Sequence, residues 1–116
     1  MGSELFATFA TKINMEYERS NECEKIAEKV EAIICPTFNV SEQEIVNKNH
    51  KRDSSIARGF VWYILHYVYH LPISQISEIY FRSPRGVKAH IARTKELLKR
   101  QRIYENIYLE IKSKLR

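Results

Sequence analysis

An all-α fold is predicted by three features of this chain of 116 residues. It holds only three Gly and three Pro, so little punctuates it. Apolar residues make up 44% of it and recur at intervals of three and four, the period of one helix face. The every-second-residue alternation of a half-buried strand is absent over any stretch. At this length the chain holds one domain with one modest core.

Leu5, Phe6, Phe9, Ile13 and Tyr17 share a helical face, which predicts an amphipathic helix over 4–19. It forms an N-terminal extension, residues 1–21, ahead of a main domain at 22–116. Its apolar face either packs on the core or forms the seam of a homodimer. Residues 22–34 set Ile26, Val30, Ile33 and Ile34 against Glu and Lys on the other side. Cys35-Pro36 is expected to end that helix, because the residue before proline avoids the α region. Ser41 and Glu44 have capping-box spacing, predicting a short helix over 41–47, and the basic loop Asn47-Lys48-Asn49-His50-Lys51-Arg52 follows.

Asp53 is expected to cap a long helix running to about His70. Its stretch FVWYILHYVYHL is apolar on nearly every side and belongs at the centre of the bundle. Leu71-Pro72 stops it. Residues Ile73 to Tyr80 predict a short helix with Ile76 and Ile79 inward, and a bend at Phe81 to Pro84 leads into a longer helix over 85–100. Ile103, Ile107 and Ile111, with Tyr104 and Tyr108 beside them, predict a last helix near 102–114.

The charge is divided by position. Residues 1–46 hold 4 basic and 9 acidic side chains, residues 47–116 hold 15 and 5, and the whole carries +5. Such asymmetry within a small domain points to a polyanion facing the second half. The helix after the bend sharpens this. On a wheel of about 100° per residue, Val87, His90, Ile91, Thr94, Leu97 and Leu98 fall within about 120° and face the core. Arg85, Lys88, Arg93, Lys95, Lys99 and Arg100 fall on the other side, around the small residues Ala89 and Ala92, with Glu96 as one acidic interruption. A helix entering the major groove needs this combination: long cations to reach phosphates and base edges, and small side chains on the midline to allow close approach.

Other function classes fit poorly. His66 and His70 have the spacing of a metal pair but lack the HExxH glutamate and a third ligand, so no metal site is expected. Asp53 is the only aspartate, which disfavours a two-metal nuclease centre, and no enzyme activity or cofactor is expected. Cys23 and Cys35 form no CxxC and are expected as free thiols. The longest apolar run, Phe60 to Leu65, is far short of the ~20 residues of a membrane span, so a soluble cytoplasmic protein is expected.

From about Ile26 to Ile111 the sequence resembles the C-terminal DNA-binding domain, domain IV, of the bacterial replication initiator DnaA. The resemblance rests on IAEKVEAII, VSEQEI, the loop NKNHKRD, the helix opening SSIARGF, then LPISQISEIYF and GVKAHIARTKELL. It implies a bacterial or phage protein with a helix-turn-helix, a basic loop on phosphates, and an arginine entering the minor groove from the start of the long helix, here Arg58. Val87 aligns with the apolar residue after the family's Thr pair. Where the family reads bases with an acidic-His-Thr-Thr stretch, this chain has Ser83-Pro84-Arg85-Gly86 and a bend one residue shorter, so the family's DNA-box preference is not implied. No GxxxxGK[ST] is present, and no nucleotide is expected to bind. The shorter stretch ISQISEIYFRSPRGVKAHIARTKELL is also similar to LuxR-type regulators and to sigma factor region 4.

The candidate DNA-binding residues are therefore Lys48, Lys51, Arg52, Ser55, Arg58, Ser83, Arg85, Gly86, Lys88 and Arg93. Ser83 is the expected N-cap and Pro84 the first-turn residue of the recognition helix. Arg85, Gly86 and Lys88 lie nearest the bases, with Arg85 either gripping guanine O6 and N7 or clamping a phosphate. Lys48, Lys51, Arg52 and Ser55 suit the phosphate backbone. Arg58 either enters a groove, as the resemblance implies, or pairs with a carboxylate such as Glu44. The expected partner is double-stranded DNA, in replication initiation or transcriptional control. The alternative of a different class is a non-catalytic adaptor that binds a protein.

Overall fold

The computed structural model describes residues 22–47 and 51–115, and every regular element among these residues is a helix. Six are present: α1 over residues 22–38, α2 (Glu42–Val46), α3 (Arg52–Tyr67), α4 (Ile73–Tyr80), α5 (Pro84–Arg100) and α6 (Arg102–Lys114). The amphipathic segment expected over 4–19, and any dimer seam on it, lies outside the described residues. So does Lys48. No helix is long and apolar enough to cross a membrane among the described residues.

α1 passes through Pro36 instead of stopping before it. Proline in the last turn removes a single backbone donor, and the closure around it supplies other bonds. Val40 N–H donates to Cys35 O at 3.0 Å, Asn39 turns left-handed at φ 56°, and Thr37 Oγ1 donates to Ile33 O at 3.1 Å. Cys23 and Cys35 are both free. Ser41 caps α2 as its spacing predicts, accepting from Glu44 N–H at 3.2 Å.

The start of α3 differs from expectation. Lys51, not Asp53, occupies the N-cap position, so Arg52 is the first helical residue and Asp53 lies in the first turn, where its charge suits the helix dipole. Ser54 explains the shift. It is buried, and its hydroxyl donates to Glu44 Oε2 at 3.2 Å, drawing the helix start against α2. α3 then supplies the centre of the core with Phe60, Val61, Trp62, Ile64 and Leu65, all fully buried. It ends at Tyr67, three residues before the expected stop. His70 turns left-handed, Leu71 N–H donates back to Leu65 O at 2.9 Å, and His66 Nδ1–H donates to Leu71 O at 2.8 Å.

α4 buries Ile76 and Tyr80 and closes on Phe81, a left-handed residue at φ 53°. Three residues, Phe81 to Ser83, separate it from α5. α5 buries Val87, Ile91 and Thr94 against the core. α6 runs over the predicted span and buries Ile111, but Ile103 points outward at 64% exposure, because Tyr104 instead packs on Phe60, with ring centroids 6.1 Å apart.

α3 and α5 cross closely, and Gly59 is what permits it. A Cβ there would lie 2.3 Å from Thr94 Oγ1 and 3.3 Å from His90 O. Gly59→Ala is therefore expected to lower stability by roughly 1–3 kcal/mol through overpacking, and adding Thr94→Ala to recover part of that loss, measured by urea unfolding.

α1 meets α4 through a buried polar pair, Tyr80 OH donating to Glu31 Oε2. Burial pushes the Glu31 carboxyl above its ordinary value, Tyr80's hydrogen bond opposes this, and Glu42 and Glu28 add to the rise. A carboxyl raised in the folded state binds its proton more tightly there than in the unfolded chain. The stability it confers is then fullest below the unfolded value of about 4.3 and declines as pH climbs through the folded value. Glu31→Gln, which keeps an acceptor for Tyr80, is expected to flatten this decline and to raise the melting temperature at pH 7 relative to wild type.

Candidate nucleic-acid interface

The bend before α5 starts the helix as its sequence predicts. Pro84 occupies the first turn, where an amide donor would go unused, and Ser83 Oγ accepts from Gly86 N–H at 3.1 Å. That bond occupies the Gly86 amide. Gly86 O in turn accepts from His90 Nδ1–H at 3.0 Å. Burial, and then the charges of Arg58, Arg93 and Arg82, hold the His90 imidazole below its ordinary value against the raising effect of the Gly86 carbonyl. His90 is thus neutral at pH 7 and packs edge-on against Trp62, with centroids 4.8 Å apart.

With Val87, Ile91 and Thr94 turned inward, the outward side of α5 carries Arg85, Lys88, Arg93, Lys95, Lys99 and Arg100, all exposed, and the exposed Ala89 and Ala92. Glu96 takes part of this charge, accepting from Arg100 Nε at 3.2 Å. Near the start of α3, Lys51 and Arg52 are exposed and Ser55 half-buried. The expected residues thus fall on two elements: Ser83, Arg85, Gly86, Lys88 and Arg93 on α5 and its cap, and Lys51, Arg52 and Ser55 around the first turn of α3.

Arg58 belongs to neither group, which corrects its expected place in a groove. It is 2% exposed, and its guanidinium closes the end of α2: Nε donates to Ile45 O at 2.7 Å, and Nη2 to Glu44 O at 2.8 Å and Asn47 O at 2.5 Å. The last carbonyls of a helix lack intrahelical donors, and a planar fork fits several at once. Burial, and next the charge of Arg82, push the Arg58 guanidinium below its ordinary value, which is high enough that the group stays charged. The pairing partner proposed by sequence, Glu44, is close by, but its backbone oxygen is what Arg58 uses.

Arg82 was not among the expected residues. Its Nη2 donates to Asn47 O at 2.8 Å, and its guanidinium lies over the Trp62 ring at 5.8 Å. It carries no local sequence signal, because its partners lie far along the chain. The bond joins the end of α2 to the turn that begins α5.

Arg58→Ala is expected to cost about 2–4 kcal/mol in urea unfolding, since it strips charge-assisted bonds from helix-end carbonyls and removes a buried stem. Arg85→Ala, an exposed change, is expected to stay within about 0.5 kcal/mol. No family model, curated protein or solved structure matches the chain.

Proposed function

We propose that this chain binds double-stranded DNA, with α4, the three-residue turn and α5 acting as a helix-turn-helix and α5 entering the major groove. One observation carries the proposal: the exposed side of α5 holds six cations around two alanines, directly opposite the stripe that anchors the helix to the core. Cations at that spacing straddle a groove, and the alanines let the backbone approach it. Arg85, next to the N-cap, is the base-reading candidate, and Lys51 and Arg52 are placed for phosphates. The role is that of a sequence-specific binder in replication initiation or transcriptional control, similar in kind to the initiator domain that the sequence resembles.

A protein-binding adaptor is the second reading. It draws support from a groove of about 300 Å³ between α1, α2 and α4, lined by Glu24, Glu28, Glu42 and the exposed Val46.

Selection of a preferred duplex from random sequence, followed by anisotropy titration over a range of salt, separates the two. DNA binding predicts that log affinity falls with log salt at about −0.9 per neutralised phosphate. Arg85→Ala is expected to relax preference at one or two base pairs, and Arg52→Ala to weaken all duplexes alike while lowering the slope by about 0.9. An adaptor gives no duplex binding and no slope.

A further inference from the structure

Resting on the proposed duplex binding, we infer that Arg82 is the positioning residue that holds the phosphate-facing start of α3 and the base-facing start of α5 in one fixed geometry. The inference comes from where its guanidinium is spent. Arg82 precedes the cap of a basic helix and would ordinarily be counted among the groove cations. Instead Nη2 donates to Asn47 O, the guanidinium carbon lies 5.8 Å from the Trp62 ring centroid, and Nε is buried without a hydrogen-bond partner.

Asn47 O is a junction. It accepts from Arg58, which projects from α3, and from Arg82, which projects from the turn ahead of α5. Arg58 thereby ties this point to the long helix, and Arg82 ties the same point to the recognition turn. A single carbonyl has two lone pairs, and both are directed to cations.

The backbone of the turn is itself restrained. Arg82 N–H donates to Ser77 O at 3.0 Å, and Ser77 Oγ donates to Arg82 O. Phe81 is held left-handed with its ring 85% exposed, a conformation disfavoured for a non-glycine residue and enforced by the surrounding bonds. The main chain of Arg82 is thus locked to α4 while its side chain is locked to the end of α2. Freed from Asn47, the turn keeps its own bonds but loses the tie that runs through Asn47 O and Arg58 to α3.

A role through positioning differs measurably from direct phosphate contact. Glutamine is uncharged but can still donate to Asn47 O, whereas alanine cannot. With the selected duplex, Arg82→Ala is expected to weaken binding about tenfold and Arg82→Gln by less than about threefold, as loss or retention of one hydrogen bond between a charged group and a carbonyl implies. Arg52→Ala, which weakens the wild type, is expected to add nothing in the Arg82→Ala background, because its contact is already out of register. Fluorescence of Trp62, the only tryptophan, is expected to shift in Arg82→Ala and to stay near wild type in Arg82→Gln.

The inference is overturned if Arg82→Ala binds like wild type. It is equally overturned if alanine and glutamine variants are equally weak, with a salt slope reduced by about 0.9 and effects that multiply with Arg52→Ala, which is the signature of a direct phosphate contact. Wild-type protein without salt-dependent duplex binding sinks the proposed function and this inference together, whereas wild-type binding with an inert Arg82 sinks the inference alone. Should Arg82→Ala lose its helical circular dichroism, Arg82→Gln decides: near-wild-type affinity supports the inference, and a tenfold loss overturns it.

Discussion

The close crossing of α3 and α5 is the contact on which the rest of this domain depends. It exists because Gly59 offers no Cβ where Thr94 Oγ1 and the His90 carbonyl come in. Thr94, buried there, turns its hydroxyl back to His90 O at 3.0 Å, so its polar group is satisfied within its own helix. One turn earlier, His90 lies edge-on to Trp62 of α3. With one side of α5 committed in this way, the rotation of the helix about its axis is set, and its cations face solvent as a consequence of packing.

Three of the four buried polar or charged residues among the described residues, Glu31, Ser54 and Arg58, join elements that apolar packing alone would leave free to slide. Glu31 and Tyr80 join α1 to α4, Ser54 and Glu44 join α3 to α2, and Arg58 closes α2 from α3. Directional bonds between such elements restrict register in a way that a hydrophobic contact does not. Their positions matter because α2 is only one turn and a half long. Without Arg58 on its terminal carbonyls, a helix of five residues has few internal bonds to hold its own end.

Charge is distributed to match. The acidic groups of α1 and α2 surround a groove with α4, while the cations of the second half lie on α5, at the start of α3 and at the two ends of α6. A domain polarised in this way orients itself in the field of a polyanion before contact, which is a property of the summed charge and not of any single pair.

Much of the architecture was legible in order along the chain. The caps of α2 and α5, the span of α6 and the inward stripe of α5 follow from residues within a few positions of one another: Ser41 with Glu44, Ser83 with Gly86, Val87 with Ile91 and Thr94. Local spacing determines these because both partners ride on the same turn of backbone. The helix ends at Pro36 and His70 were misplaced by a few residues, since a terminus is settled by which closure bonds the following chain can reach. Arg58, Arg82 and Ile103 were beyond sequence altogether. An arginine on the first turns of an apolar helix reads alike whether it leaves for a groove or turns inward, and the choice fell to three carbonyls at the end of another helix. The amino-acid order thus determined the helices, their caps and the face on which α5 carries its charge. Which cations remain on that surface and which hold the domain together was decided only when distant carbonyls were brought within bonding distance, because hydrogen bonds between elements depend on positions that no local period encodes.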